Sequence, residues 1–277
     1  MSTATKAPVF FISHGGPTLL ENEEKPGRFY DWFGSLIQKR LAPKAIVIIT
    51  AHWQPQEEET ILVDASEKPK LIYDFFNFPE RFYQQTWDQS GSPALAHRVV
   101  GLLEKAGIRA SERQYGNDHG VWVPLKRAMT SCSTIPIVAV STFLDDHLAP
   151  HVKVGEALES LRDENIVIIG SGSAVHNLEG WRTFGEKPSP DYVFEFDKLM
   201  ETFATKYTGK ERVEKALGLD QHAHYRDCHP TAEHLVPFFV SLGAAGQDRG
   251  VKLVEDYYAR LSWSCYGFGL PEDIQIN

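Results

Sequence analysis

The residues here best suited to chemistry are histidines, and three of the eleven follow apolar runs directly. His14 sits in "SHGGP" after "APVFFI", His52 in "TAHW" after "KAIVII", and His176 in "GSGSAVHN" after "ENIVII". Imidazole is the commonest metal ligand and the usual general base near neutrality. Taken singly, each is more often a polar loop residue; three in the same local setting suggest a shared site. The small residues around His14 and His176 would let backbone approach a bound group. "GNDHGVWVPL" (116–125) adds Asn117, Asp118 and His119, and "HAHYRDCHPTAEHL" (222–235) adds His222, His224, His229 and His234, the last beside Glu233. A carboxylate beside a ligating histidine suits orientation of its ring, the role expected of Glu233 and Asp118. His222 and His224 lie in a polar connection and read as solvated. His229 and His234, five residues apart, do not share one helix face and are not placed on one metal.

The elements that must carry these residues alternate between strand and helix. Continuously apolar, β-branched runs at 7–12, 44–51, 60–65, 133–142, 164–171 and 260–268 read as strands covered on both faces. Helical patterns fall at 93–106, where Ser92-Pro93 supplies a cap and a first-turn proline before the Gly107 stop, and at 149–163, 190–207, 211–217 and 230–244. The expected fold is α/β: one domain over 1–277 with a central, mainly parallel or mixed sheet flanked by helices on both faces. "FGEKPSPDY" (184–192) reads as a loop, not a boundary. In such sheets ligands bind beyond the carboxyl ends of the strands. Neighbouring strands lie roughly 5 Å apart, so histidines leaving two or three of them can meet in one crevice.

Composition narrows the function. With 42% apolar and 23% charged residues the chain is ordinary globular protein, and its net charge of −9 argues against nucleic acid and anionic membrane as partners. Cys132, Cys228 and Cys265 are odd in number, widely spaced and form no C-x-x-C pair, so they suggest neither a disulfide framework nor a thiolate zinc site and fit a reducing compartment, the cytoplasm. No apolar run reaches the length of a signal segment or a membrane span. Oligomeric state is not legible.

Taken together, "SHGGP", "TAHW", "YDFFNFP" (73–79), "GNDHGVWVPL", "GSGSAVHNL" (170–178) and "HPTAEHLVPFF" (229–239) resemble the class III extradiol ring-cleaving dioxygenase superfamily, in its DOPA-dioxygenase-like branch. The resemblance runs in order from about residue 8 to the last strand. It implies that His14, His52 and His234 are metal ligands, that His176 is the acid/base histidine, and that His119 lines the pocket and steers substrate or oxygen. It also implies that Tyr73, Asp74 and Phe75 to Phe78 help form the substrate pocket; Trp53 is a second candidate wall for a flat ring. Better known members carry two histidines and a carboxylate, so with Glu233 and His234 side by side the third ligand stays open between them.

Such a site implies Fe(II), a catechol and O2 as reactants, and a muconic semialdehyde-type product. Three protein ligands leave open positions on the ion, as in non-haem oxygenases. Three histidines are also the ligand set of catalytic zinc, which by the Irving–Williams order can occupy the site in purified protein. The alternative is therefore a zinc-dependent hydrolase using the same residues. A serine hydrolase built on Ser171 or Ser173 is disfavoured, because "GSGSA" lacks the G-x-S-x-G elbow.

Overall fold

The computed structural model describes residues 6–56, 59–129, 134–179 and 188–276. Cys132 and residues 184–187 of the expected 184–192 loop lie outside them, and the last two residues of that loop already belong to a helix. In chain order the elements are β1 (Val9–Ser13), α1 (Lys25–Ser35), β2 (Ala45–Thr50), β3 (Thr60–Asp64), α2 (Pro93–Lys105), β4 (Arg109–Arg113), α3 (His119–Ala128), β5 (Ile137–Val140), α4 (Leu148–Leu158), β6 (Ile166–Gly172), β7 (Val175–His176), α5 (Asp191–Lys206), α6 (Gly209–Leu217), α7 (Tyr225–Cys228), α8 (Val236–Ala245), β8 (Gly250–Val254), β9 (Tyr257–Tyr258), β10 (Leu261–Ser262) and β11 (Cys265–Phe268).

Eight strands form one mixed sheet in the order β4-β3-β5-β2-β6-β1-β11-β8. Its centre, β5-β2-β6-β1, is parallel. The β3 strand meets β5 antiparallel, as β11 meets β1. Both faces are covered, as the double-sided apolar runs require. Val9, Phe11, Val47 and Ile49 pack under α2, α4, α5 and α8, while the intervening Phe10, Ile12, Ile46 and Ile48 pack under α1 and α3. The expected Ser92 cap is present, its Oγ accepting from Leu95 N–H at 3.3 Å.

Two expectations are corrected. The run 260–268 is not one strand: it breaks at Trp263–Ser264, and β10 leaves the main sheet to pair with β7 and β9 in a second, three-stranded sheet. Ser13 Oγ binds this break, donating to Ser264 O at 2.9 Å. The helix expected over 230–244 begins only at Val236. The His234 carbonyl is turned out of the helical ladder and accepts from Ser173 N–H at 3.0 Å. No helix among the described residues is long and apolar enough to cross a membrane.

Candidate active site

Strands β1 and β2 flank β6 in parallel register, with Ser13 opposite Gly172 and Thr50 opposite Ser171. His14 and His52 therefore leave the sheet at the same level on either side of β6, and the chain after β6 returns through β7 to present His176. His234 arrives from the loop before α8. It reaches the group because Gly172 has no side chain: a Cβ there would lie 2.1 Å from His234 O. The small residues of "GSGSA" thus admit protein backbone.

His52 Nε2 lies 3.0 Å from His14 Nε2 and 3.2 Å from His234 Nε2. Each opposite ring nitrogen, Nδ1, faces a partner: Ser171 Oγ at 3.0 Å for His14, Asp74 Oδ2 at 3.3 Å for His52, and Glu233 Oε1 at 2.9 Å for His234. Carboxylates only accept, so His234 carries its proton on Nδ1, and the Asp74 carboxylate beside His52 Nδ1 favours the same tautomer there without a hydrogen bond. Ser171 spends its own proton on Gly120 O at 2.6 Å, so His14 also donates from Nδ1. The Nε2 atoms of His14 and His234 consequently both face the Nε2 of His52.

Burial, followed by the neighbouring imidazoles, holds all three histidines well below the usual histidine range, so protonation does not relieve the crowding. A cation does. Nitrogens about 2.1 Å from one ion stand roughly 3.0–3.4 Å apart, which matches the separations of 3.0 and 3.2 Å. The histidine cluster thus fits a divalent metal; its donors close to within 4.8 Å as two groups, His14–His52–His119 and His176–Glu233–His234, and the His52 Nε2 joins them through His14 and His234. Glu233 faces the back of the His234 ring, on the side away from that convergence.

His176 stacks on His234, ring centroids 3.5 Å apart and planes 11° from parallel. The two rings therefore lie in separate, nearly parallel planes, and their in-plane nitrogens are offset by the stacking distance. Burial pushes His176 down to about 4 against the opposing pull of Glu233. His119 closes the other side, its ring 3.8 Å from that of His52 and 5.5 Å from that of His14. Its backbone N–H donates to Asp74 Oδ1 at 2.9 Å, and its Nδ1 is 3.0 Å from Asp74 Oδ2, an ion-pair distance without hydrogen-bond alignment. Burial would raise Asp74, but the His119 and His52 imidazoles outweigh it and hold the carboxyl below its usual value.

Asp118 stands back from the His119 ring. Its oxygens accept from Thr50 Oγ1 at 2.7 Å and Tyr115 OH at 3.2 Å, and burial pushes it up to about 6. Trp53 is buried and stacked on Tyr115 at 3.9 Å. Tyr73 donates its hydroxyl to Gln85 O at 2.6 Å. Phe75 meets His119 edge-on at 5.9 Å and Phe78 at 5.5 Å. The histidines outside the group are placed elsewhere: His229 Nε2 bonds Ala174 O, and His224 pairs with Asp227.

Sequence reasoning missed Trp263 as a wall of the site. Gly15, at φ +59°, lies under its indole, and a Cβ on Gly15 would stand 1.8 Å from Trp263 Cη2. The glycine was legible; what it makes room for was not.

The family described as the catalytic LigB subunit of aromatic ring-opening dioxygenase matches residues 8–269. A protein of Beta vulgaris named 4,5-DOPA dioxygenase extradiol is 35% identical over 94% of this chain and 95% of its own length. One of the same name from Escherichia coli K12 is 31% identical over 87% and 86%. The crystal structure of an uncharacterized Escherichia coli K12 protein superposes with a TM-score of 0.76 at 28% identity, covering 95% of this chain and 99% of that one. The converging histidines at the mouth of this sheet thus sit in a chain that belongs to the LigB family, as an extradiol ring-cleaving dioxygenase of the DOPA-dioxygenase-like branch.

Proposed function

We propose that the protein is a non-haem Fe(II) dioxygenase that opens a catechol ring of the DOPA class with O2, beside the hydroxyl-bearing carbons, to give a muconic semialdehyde-type product. His14, His52 and His234 are the ligands. One observation carries the reading: the neutral imidazoles of His14 and His234 both turn Nε2 toward the Nε2 of His52, while Ser171 and Glu233 bond the Nδ1 atoms of the outer two and Asp74 lies 3.3 Å from that of His52. When bound there, ferrous iron would lower the pKa of the catechol hydroxyls and provide the electronic link between catechol and O2.

The protein groups do the rest. His176, neutral at pH 7 and stacked on a ligand ring, takes the proton of the second hydroxyl and returns one as the ring opens. His119, backed by Asp74, offers a polar contact on the opposite side and steers substrate or oxygen. Phe75, Phe78 and Trp263 give a flat ring an apolar slot that excludes water. Free, buried Cys228 and Cys265 suit a reducing compartment, consistent with a cytoplasmic enzyme.

The test is anaerobic metal removal, refilling with Fe(II), and oxygen-electrode assays with DOPA, catechol and protocatechuate. Equimolar oxygen and catechol consumption with a coloured ring-opened product is expected. Ester or amide hydrolysis by the zinc-loaded protein, with no oxygen uptake after iron loading, would overturn the reading.

A further inference from the structure

The three-stranded sheet sorts its side chains into two rows. Val175, Ser262 and Tyr257 stand opposite one another, and so do His176, Leu261 and Tyr258. Directly opposed residues on antiparallel strands project from the same face. The first row faces inward: Val175 and Ser262 are buried, and Ser262 Oγ and Tyr257 OH donate to the buried Asp197 carboxylate at 2.7 and 2.9 Å. Lys252 Nζ binds the same carboxylate at 3.0 Å. The sheet is therefore clamped from behind.

The second row faces the other way, and its outer end is the most exposed. His176 and Leu261 are half-buried, and Tyr258 is 43% exposed. At the inner end His176 lies flat on His234. A continuous strip thus leads from the ligand cluster to solvent, histidine first, then leucine, then tyrosine. Leu178, two residues past His176, is another large apolar side chain left 52% exposed. Leu261 and Tyr258 carry no charge; the Glu233 carboxylate borders only the inner end, at His176, and Arg260, in the turn between β9 and β10, reaches Glu179 at 3.2 Å. An apolar surface continuous with a reaction site, rigidly backed and open to solvent, favours the part of a substrate that extends beyond the reacting ring.

We propose that Leu261 and Tyr258 form the outer wall of the substrate channel, and that the enzyme selects catechols whose ring substituent is larger and less polar than the alanyl group of DOPA. This rests on the dioxygenase reading above and names the substrate class of that same site. The diol is held at the histidines and the substituent lies along the strip, displacing water from Leu261 and the Tyr258 ring.

The test compares kcat/KM for 4-phenylcatechol and for catechol, using full-length, Fe(II)-reconstituted protein. The wild-type ratio should be about tenfold or more in favour of the phenyl compound. Leu261→Ala and Tyr258→Ala should each lower that ratio about fivefold, chiefly through KM, whereas Tyr258→Phe should retain it because the contact is apolar. Tyr258 is exposed, so its variants report on the channel without disturbing the core. A wild-type ratio at or below one, equal losses on both substrates, or a Tyr258→Phe loss as large as that of Tyr258→Ala would overturn the assignment. Absence of oxygen uptake with every catechol would instead overturn the dioxygenase reading and the wall with it.

Discussion

The Nδ1 of His14 lies 3.0 Å from Ser171 Oγ, and that hydroxyl stands 2.6 Å from Gly120 O, which can only accept. The serine proton goes to Gly120, so the imidazole must donate and its Nε2 stays bare. Ser171 thus orients the His14 ring, which gives a buried serine in "GSGSA" a place without nucleophilic chemistry. Ser171→Ala removes the group that fixes the tautomer and should weaken metal binding about 10–100-fold with the fold intact. Competition against a chelator measures this, and unchanged affinity would show that the hydroxyl does not set the ring.

Gly15 and Gly16 adjoin in sequence and differ in what they tolerate. Gly15 is left-handed, at φ +59°, and pressed against Trp263; Gly16 sits at φ −86°, where a Cβ would meet only Phe78 Cζ at 3.6 Å. Gly15→Ala combines left-handed strain of about 1–2 kcal/mol with overpacking of about 1–3 kcal/mol, so a loss near 3 kcal/mol is expected. Gly16→Ala should cost less than about 1 kcal/mol. Denaturant melts of the two variants decide it, and equal losses would contradict the geometry.

This pair also shows how much the sequence discloses. The central strands were legible because residues such as Ile46 to Ile49 are apolar on both faces, a pattern that survives without tertiary information. The edge strand β4, "RASER", was not, because only Ala110 is buried. Two-residue strands such as β7, β9 and β10 are too short for any period to register. In the site, His14 and His52 were visible as strand-end histidines. The approach of His234 depends on a bare Gly172 some sixty residues earlier, and the Asp74 carboxylate behind His52 and His119 on a loop with no periodic signal; both are tertiary facts.

His151, far from the ligand group, sets an acid limit on stability. It is fully buried, donates from Nδ1 to His147 O at 2.7 Å, and accepts at Nε2 from Phe143 N–H at 3.1 Å. A second proton would set donor against donor, and burial pushes the ring down to about 4. Because the folded value lies below the unfolded value of about 6.5, the contribution is present above pH 6.5 and lost as pH falls toward 4, amounting to about 3 kcal/mol. The unfolding free energy should therefore drop across that window, together with the share of the other buried histidines. His151→Gln, whose side-chain carbonyl can still accept from Phe143, should reduce the drop by about that amount; an identical pH slope in the variant would assign the acid sensitivity to the other histidines alone.

The stacking of His176 on His234 separates two roles that adjacency alone would confuse. A fourth ligand would have to turn its ring edge toward the point where the His234 and His52 Nε2 atoms meet, yet the His176 ring lies flat on His234 with planes only 11° apart. His176 is therefore expected to act on substrate protons. His176→Ala should keep nearly full metal content while kcat falls about 10²–10⁴-fold, the range for loss of a general acid/base. His234→Ala should lose metal and activity together, because it removes one of the three converging Nε2 atoms. Metal analysis beside turnover distinguishes the two variants: proportionate metal loss in His176→Ala would place that ring in the coordination sphere, and full metal retention in His234→Ala would remove His234 from it.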